Sequence, residues 1–224
     1  MRIFKDQIWH ISILIIMLFG MYYFVINDST TLKGEFLNIS TKHWLIISIL
    51  SPIIHQFFVV ICWRIELYQK GLSKRVGSKE YAFKLYKIGF AILILSRLVT
   101  IIFLAVSNKN TLEINSNIIL AITLLISIPT IYTLYSVHKY FQIDRAFGLD
   151  HFNPEAVKNI PFVKKGIFKY TSNGMYIYGF LILWIPGLIL MSKAALLVAL
   201  FNHLYIWVHY FFTELPDIKM IYKK

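Results

Sequence analysis

The sequence predicts an all-α, multi-pass integral membrane protein: a bundle of about six transmembrane helices that ends in a helical hairpin. Of its 224 residues, 58% are hydrophobic and 15% are charged, and the mean hydropathy is +0.64. Soluble domains are nearer roughly 45–50% apolar and about 25% charged. The excess apolar residues are gathered into runs of the length that a membrane helix needs. The loops between these runs differ sharply in their content of basic residues, as membrane topology requires.

Six apolar runs follow one another along the chain. The first is too long for the core of a cleaved signal peptide and no small-residue cleavage site follows it, so we expect it to be retained. The last two are joined only by Ser192 and Lys193 and should form an antiparallel hairpin. Pro186 lies inside the first arm of that hairpin and should kink or break it. The runs cover residues 8–26, 44–63, 85–106, 117–137, 175–191 and 194–213.

The distribution of basic residues predicts the orientation. Eighteen Lys and Arg residues lie in the N-terminal segment, the second loop, the fourth loop and the tail, whereas four lie in the other three loops. Because basic residues concentrate on the cytoplasmic side, both termini should be cytoplasmic, in a bacterial inner membrane or the endoplasmic reticulum. The net charge of +12 then indicates contact with anionic lipid. Nucleic acid is disfavoured as a partner because the basic residues are scattered between spans.

The fourth loop, about residues 138–174, is the longest polar segment. It contains seven aromatic residues, so we expect it to be ordered and functional. It lies on the same predicted side as the tail, which places any chemistry at the cytoplasmic face between this loop and the end of the last span. We therefore divide the chain into a four-span bundle (1–137) and a site-forming part (138–224), which together form one integrated domain.

A polar stripe runs along the last span. His203, Trp207, Tyr210 and Glu214 are spaced so that they share one helical face. Such a stripe should face a cavity or a partner helix and not lipid. The alternative is an interfacial belt in which Trp and Tyr anchor at headgroup depth and Glu214 lies in water. His203 is the residue that this alternative explains least well, because it lies about three helical turns deeper.

Arg97 lies near the middle of the third predicted span, where a buried charge is costly and needs a partner. It either forms a structural ion pair or snorkels to the interface, or it holds an anionic group of a ligand. His55, which follows Pro52 in the second span, is expected to be a hydrogen-bonded packing residue, with a ligand role as the alternative.

Several kinds of site are absent from the sequence. Cys62 is the only cysteine, so there is neither an internal disulfide nor a cysteine-based metal site. No histidines have metal-ligand spacing with carboxylates nearby, and we expect no metal. There is no catalytic triad, phosphate-binding glycine loop or dinucleotide fingerprint. These absences disfavour most common enzyme classes.

The segment GIFKYTSNGMYIYG, residues 166–179, leads from the fourth loop into the fifth span. Gly166 and Gly174 permit unusual backbone angles. Ser172 and Asn173 can cap a helix that begins at about Met175, and the free amides of that helix would bind a carboxylate or another anion. The alternative is an ordinary capped start of a membrane span.

Two segments of the chain carry a family resemblance. GIFKYTSNGMY resembles the motif G-x-Y-x-x-x-R-H-P-x-Y of the isoprenylcysteine carboxyl methyltransferase and phospholipid methyltransferase superfamily, and TELPDIKMIY resembles its closing motif E-x-x-P/E-x-P. The resemblance covers about residues 138–224 and is greatest to phospholipid-type and uncharacterised bacterial members. The sequence departs from the family at 172–174, where Ser-Asn-Gly replaces Arg-His-Pro, and at Leu215, which replaces the second acid. These departures indicate either a subfamily or a site that has lost activity.

The resemblance implies that the two motifs bind S-adenosylmethionine at the cytoplasmic face. Glu214 would hold the amino group or the ribose of the cofactor, and Pro216 and Asp217 would shape its pocket. The cofactor-binding residues implied by the resemblance are Gly166, Tyr170, Asn173, Gly174, Tyr176, Glu214, Pro216 and Asp217.

Methyl transfer is an in-line displacement that needs no covalent nucleophile on the protein. Glu214, His203 and Tyr210 are the candidate catalytic residues, and Arg97 and Trp207 are candidates for substrate contact. The acceptor implied is a membrane lipid, and the first candidate is a phospholipid amine such as phosphatidylethanolamine. A prenylated-cysteine carboxylate and a small hydrophobic thiol are alternatives. A non-catalytic scaffold or a small transporter also remains open, although a transporter should show inverted repeats.

Overall fold

The structure, a computed structural model, describes residues 3–157 and 159–222 of the chain. Within these residues, five helices are long and apolar enough to cross a membrane. The protein is therefore an all-α integral membrane protein, as predicted. The basic residues Arg2, Lys158, Lys223 and Lys224 of the charge pattern lie outside the described residues. The five long helices are Gln7–Asn27, Thr41–Gln69, Lys79–Ser107, Ser116–Phe141 and Lys193–Ile221.

Some of these long helices contain a change of helix type, and short helices lie between them. In chain order the α-helices are α1 Gln7–Asn27, α2 Thr41–Gln69, α3 Gly71–Val76, α4 Lys79–Ser107, α5 Ser116–Ser136, α6 Ile143–Ala146, α7 Leu149–Phe152, α8 Pro154–Val157, α9 Gly174–Ile177, α10 Ile185–Ile189, α11 Lys193–His209 and α12 Leu215–Ile221.

Other elements complete the fold. The 3₁₀-helices are Ser29–Leu32, Gly166–Lys169 and Gly179–Leu183, and the π-helices are Val137–Phe141 and Tyr210–Glu214. Between α1 and α2, the two-residue strands β1 Glu35–Phe36 and β2 Ile39–Ser40 pair antiparallel, with Glu35 opposite Ser40.

Side-chain caps fix the start of three long helices, α4, α5 and α11. The Ser78 hydroxyl accepts a hydrogen bond from the amide of Tyr81 at the start of α4, at 3.2 Å. The Ser192 hydroxyl does the same for the amide of Ala195 at the start of α11. Each cap satisfies one of the amides that the first helical turn leaves without a partner.

The four basic segments of the chain meet at one end of the bundle, which we call the basic end. The Arg64 guanidinium donates hydrogen bonds to the carbonyls of Lys5, at 2.7 Å, and Phe212, at 3.1 Å. Lys87 forms an ion pair with Asp144 at 2.8 Å. The N-terminal segment, the second loop, the fourth loop and the tail therefore share one end, which is the grouping that the charge pattern predicts. That this end faces the cytoplasm stays a prediction.

The opposite end is formed by the other three loops. The Asn108 side chain donates to the Lys33 carbonyl at 2.9 Å and accepts from the Ser192 hydroxyl at 3.1 Å. Lys193 forms a hydrogen-bonded ion pair with Asp28 at 2.8 Å. This hydrogen bond is the main reason why the pKa of Asp28 is lowered to about 2.

The fifth crossing of the bundle is a broken segment that consists of α9, the 3₁₀-helix Gly179–Leu183 and α10. Pro186 lies in the first turn of α10, so the predicted break is confirmed. The amide of Ser192 donates to the Gly187 carbonyl at 2.8 Å, and α10 packs against α11 as the predicted hairpin. At a rise of roughly 1.5–2.0 Å per residue the segment reaches from one end of the bundle to the other. It is shorter than the five long helices, and the count of six membrane spans stays a prediction.

The core of the bundle is built around α11. Its small residues allow α1, α2, α4 and the broken segment to pack closely against it. The outward faces of α1 and α5 expose large apolar side chains, such as Phe19 and Leu125, which a bilayer would cover. The fully buried core residues of α11 are Ala194, Ala195, Val198, Ala199, Phe201 and Tyr205.

Candidate functional site

The described residues of the fourth loop, 138–157 and 159–174, form a cover at the basic end. Phe152 and Phe168 are buried, as the aromatic content predicts. Gly148 has a φ of +87°, and a Cβ there would lie 2.4 Å from the Trp63 ring. Gly166 has a φ of +59°, and a Cβ there would lie 2.4 Å from Ser136 Oγ. Both positions combine a left-handed backbone with a close contact, so both require glycine.

The last long helix changes to a π-helix at Tyr210–Glu214. Pro216 has no N–H group, so the Phe212 carbonyl four residues before it lacks its helical donor and accepts hydrogen bonds from Gln7 at 2.9 Å and from Arg64 at 3.1 Å. Single-turn π-helices occur frequently at functional sites. Here the turn carries Glu214 toward the segment that precedes the hairpin.

The two motif segments meet through Tyr176 and Glu214. The Tyr176 hydroxyl donates a hydrogen bond to Glu214 Oε2. The Tyr176 ring centroid lies 5.9 Å from that of Trp207 and 5.5 Å from that of Tyr210. Asn173 lies next to Tyr210. The structure therefore brings together five of the residues that the sequence analysis selected.

His203 lies deeper on the same face. Its Nδ1 accepts a hydrogen bond from the indole N–H of Trp184 at 3.2 Å, and its ring lies 6.2 Å from that of Phe180. The polar stripe of the last helix therefore faces the broken segment, as predicted, and the interfacial-belt alternative does not hold. Sequence reasoning missed Trp184, although an indole in the partner arm of the hairpin is a suitable donor for a histidine in the stripe.

Asp217 contacts protein groups on α2 and in the fourth loop. Its carboxylate is fully buried and accepts from the Tyr68 hydroxyl at 3.1 Å. Arg64 Nε and His151 Nε2 each lie 3.4 Å from its Oδ2. The contacts attach α12 to the rest of the basic end, and Pro216 forms the first turn of that helix. Sequence reasoning missed Arg64 and His151, since nothing local in the sequence links them to the tail.

The tail is also attached through Tyr222. Its hydroxyl donates to Asp150 and accepts from Arg145 Nη2 at 3.3 Å, and its ring packs against Phe162. Burial, and after it the hydrogen bond to Asp150, raises the pKa of Tyr222 to about 12. The tail and the fourth loop therefore form one surface.

The remaining predicted cofactor residues lie around this cluster. A helical segment begins at Gly174, close to the predicted start, but its N-cap residue Asn173 makes no side-chain capping bond, so the predicted cap is wrong. Gly174 is buried against Ile167 without a positive φ. Gly166 packs against the end of α5, and Tyr170 is 74% exposed, so neither contacts Glu214.

A cavity of about 110 Å³ lies beside the contact between Tyr176 and Glu214. Arg97 lines it and is buried; its Nε donates to Asn202 Oδ1 at 2.8 Å, and its Nη1 lies 3.3 Å from His55 Nδ1. No acidic side chain in the described part of the chain forms an ion pair with Arg97, so the predicted structural ion pair is wrong. The polar residues that line the cavity are His55, Gln56, Arg97, Tyr176, His209 and Glu214.

Among residues 3–157 and 159–222, no group of three or more His, Cys, Asp or Glu side chains could hold a metal ion.

A family model described as phospholipid methyltransferase matches residues 117–224. The match begins in the first turn of α5 and includes the fourth loop, the hairpin and the tail, and so both segments that meet through Tyr176 and Glu214. Comparisons with curated proteins and with solved structures gave no match.

Proposed function

We propose that the chain, whose residues 117–224 match the phospholipid methyltransferase family, transfers a methyl group from S-adenosylmethionine to a phospholipid headgroup amine. Phosphatidylethanolamine is the first candidate for the acceptor. The family match supports a membrane phospholipid methyltransferase in general. The cofactor and the acceptor are the parts of the proposal that need a test.

The contact between Tyr176 and Glu214 is the observation that carries the proposal. It joins the segment before the hairpin to the segment after it, and both segments are the ones that resemble the family's cofactor motifs. A simple membrane anchor has no need for a carboxylate held inside an aromatic cluster where its apolar helix ends. A site for a cationic cofactor does, because a carboxylate and aromatic faces both attract a cation.

The residues present fit the cofactor. S-adenosylmethionine supplies a methyl group bound to a sulfonium sulfur, and this sulfur leaves readily as a neutral thioether. Glu214 would hold its cationic amino end, and Asn173 and Gly174 would line the same side. Tyr176 holds the Glu214 carboxylate in place. Pro216 and Asp217 would act by fixing α12, and Gly166 and Tyr170 by setting the path of the covering loop.

The amine of the acceptor must lose a proton before or during transfer. Glu214 and Tyr210 lie at the end of the last helix and are the nearest candidates for this role. His203 Nδ1 is already engaged by Trp184, so we assign His203 a positioning role behind Tyr176 and Trp207. Trp207 would pack against the acceptor, because its ring borders Tyr176 and is only half-buried.

A lipid acceptor fits the position of the site. Glu214 lies where the apolar helix meets the basic end, which would be the depth of a lipid headgroup in a bilayer that covers the apolar helices. Exposed lysines of the same end, such as Lys84 and Lys165, would attract an anionic membrane surface.

The test is methyl transfer by purified protein in nanodiscs, with methyl-labelled S-adenosylmethionine and product detection by mass spectrometry. Phosphatidylethanolamine, a prenylated cysteine and a hydrophobic thiol are offered separately. We expect label only in the lipid, and we expect Glu214→Gln to abolish it. Glu113→Gln makes the same chemical change in an exposed residue at the opposite end and should leave the rate unchanged. Label in the thiol or the prenylated cysteine would show that this compound, and not the lipid, is the acceptor. The absence of label from all three compounds would overturn the proposal.

A further inference from the structure

Arg97 is a cation without an acidic partner in the described part of the bundle. Its side chain is buried, and its Nη2 has no hydrogen-bond partner there. The contacts it does make are neutral: Asn202, His55 and, at 5.1 Å from its guanidinium carbon, the Phe180 ring. A buried charge that lacks a counterion strongly destabilises a folded protein. A protein that retains such a charge has a use for it.

His55 adds a second donor beside it. The guanidinium can only donate, so His55 Nδ1 accepts the hydrogen bond from Arg97 Nη1. The neutral imidazole then carries its proton on Nε2, which is buried and has no partner among the described residues. Arg97 and His55 both line the cavity, and each has one buried N–H group without a partner among the described residues. Two such donors and one positive charge form an oxyanion-binding arrangement.

We propose that this cavity is an oxyanion subsite, and that Arg97 and His55 bind the phosphodiester of the acceptor lipid in it. The inference rests on the proposed function, because it takes the acceptor to be a phospholipid. The cavity is small, so it fits the headgroup and not the whole lipid. The acyl chains would stay in the bilayer or between helices.

The same cavity is suited to a zwitterion. Glu214 lines it as well as Arg97, so one cavity offers a carboxylate and a guanidinium. An ethanolamine headgroup has an ammonium and a phosphate only a few bonds apart. With the phosphate on Arg97 and His55, the amine would point toward Glu214, where the methyl group is delivered. Apolar walls such as Phe90 and Ile206 would exclude water and strengthen both contacts.

Asn202→Asp gives the sharpest test, because it places a carboxylate next to Arg97 without removing the guanidinium. Asn202 Oδ1 already accepts from Arg97 Nε, so the aspartate would form an internal ion pair in the same space, but it would lose the hydrogen bond that the Asn202 amide donates to the Val198 carbonyl. Because the two effects oppose each other, we expect the variant to unfold at nearly the temperature of the wild type. We also expect it to bind dihexanoyl phosphatidic acid at least about tenfold more weakly. Loss of binding in a protein of unchanged stability would come from the neutralised charge and not from unfolding.

The probes are dihexanoyl phosphatidic acid and dihexanoylglycerol, measured by calorimetry in detergent. They differ by the phosphate alone. The wild type should bind the phosphate-bearing lipid at least about tenfold more tightly, and Asn202→Asp should remove most of this preference. His55→Phe keeps the packing against Phe90 and removes the Nε2 donor, and it should weaken the preference by a smaller factor. An equal affinity for the two lipids in the wild type, or a preference that Asn202→Asp leaves unchanged, would rule out the lipid phosphate as the ligand of the subsite.

A cofactor carboxylate has the same chemistry as a lipid phosphate, so a second arm compares S-adenosylmethionine with its decarboxylated form. If Asn202→Asp weakens binding of the first only, the subsite is confirmed and its ligand is the cofactor. If neither arm responds to Asn202→Asp, the subsite is overturned.

Methyl transfer separates the subsite from the proposed function. Protein that binds phosphatidic acid through Arg97 but methylates nothing would overturn the proposed function and leave the subsite intact. If the Asn202→Asp variant methylates phosphatidylethanolamine as fast as the wild type does, the subsite alone is overturned.

Discussion

Tyr176 donates a hydrogen bond to Glu214 across the interface between the broken membrane segment and the π-helical end of the last helix. The two residues lie 38 positions apart, on either side of the hairpin. Both segments therefore have to be held in register for the contact to form. Gln7 and Arg64 hold the second segment by donating hydrogen bonds to the Phe212 carbonyl, which Pro216 leaves without a helical donor.

Tyr176→Phe should lower kcat/KM for methyl transfer by about 10- to 100-fold, because a hydrogen bond to a charged group contributes about 1.5–3 kcal/mol. The ring would keep its packing against Trp207, so stability should change little. The measurement is the initial rate in nanodiscs, with Tyr178→Phe as the matched control two positions along. Equal losses in the two variants would show that the hydroxyl contact has no specific role.

Arg64→Met should destabilise the basic end by about 3–5 kcal/mol, because it leaves the buried Asp217 carboxylate without its main cation. The measurements are unfolding in detergent and hydrogen exchange of the tail amides, which should accelerate. Arg75→Met changes an exposed arginine of the same end and should have almost no effect.

The double variant Arg64→Met/Asp217→Leu extends this test. Removal of both buried charges should restore part of the lost stability, since the cost of the single variant is the unpaired charge. If the double variant loses as much stability as the two single variants lose together, or more, Arg64 and Asp217 do not act as a pair.

Gly166→Ala should destabilise the protein by about 1–3 kcal/mol, because alanine is strained at a φ of +59° and its Cβ would collide with Ser136. The measurement is the free energy of unfolding, and Gly20→Ala serves as the control. A Cβ added at Gly20 would meet no neighbouring side chain within 4 Å, and this residue lies inside α1, where alanine is the better helix former. A tolerated Gly166→Ala would mean that the loop is not docked on α5.

Tyr222 should make the stability of the protein fall at high pH. Its pKa is raised from 10.0 to about 12 in the folded state, so the folded protein retains the phenol proton longer than the unfolded chain. The stabilisation is fully present below about pH 10 and is lost as the pH rises through about 12. Comparison of the stability of wild type and Tyr222→Phe between about pH 9 and 12 should show a smaller decline in the variant. An identical decline would mean that the Tyr222 hydroxyl is not buried against Asp150.

Much of the architecture follows from local sequence features. The apolar runs predict the helices, Pro186 predicts the break, and the spacing of His203, Trp207 and Glu214 predicts the face that meets the broken segment. The charge pattern also groups the loops into the two ends that the structure shows. These predictions succeed because helical periodicity and membrane thickness constrain the chain strongly.

The supports of the site could not be predicted in this way. Arg64 and Asp217 lie in distant parts of the chain, and only the fold brings them together. Pro216 predicts that the Phe212 carbonyl lacks its helical donor, but only the fold shows that Gln7 and Arg64 supply the missing hydrogen bonds. The lack of an acidic partner for Arg97 in the described part of the chain is likewise a property of the packed bundle.

Calorimetric binding of S-adenosylmethionine and of its demethylated product to the detergent-purified protein tests the cofactor site directly, with Glu214→Ala measured beside the wild type. We predict saturable binding of both by the wild type and its loss in the variant. Absence of binding by folded wild-type protein, or unchanged binding by Glu214→Ala, would contradict a cofactor site at Tyr176 and Glu214.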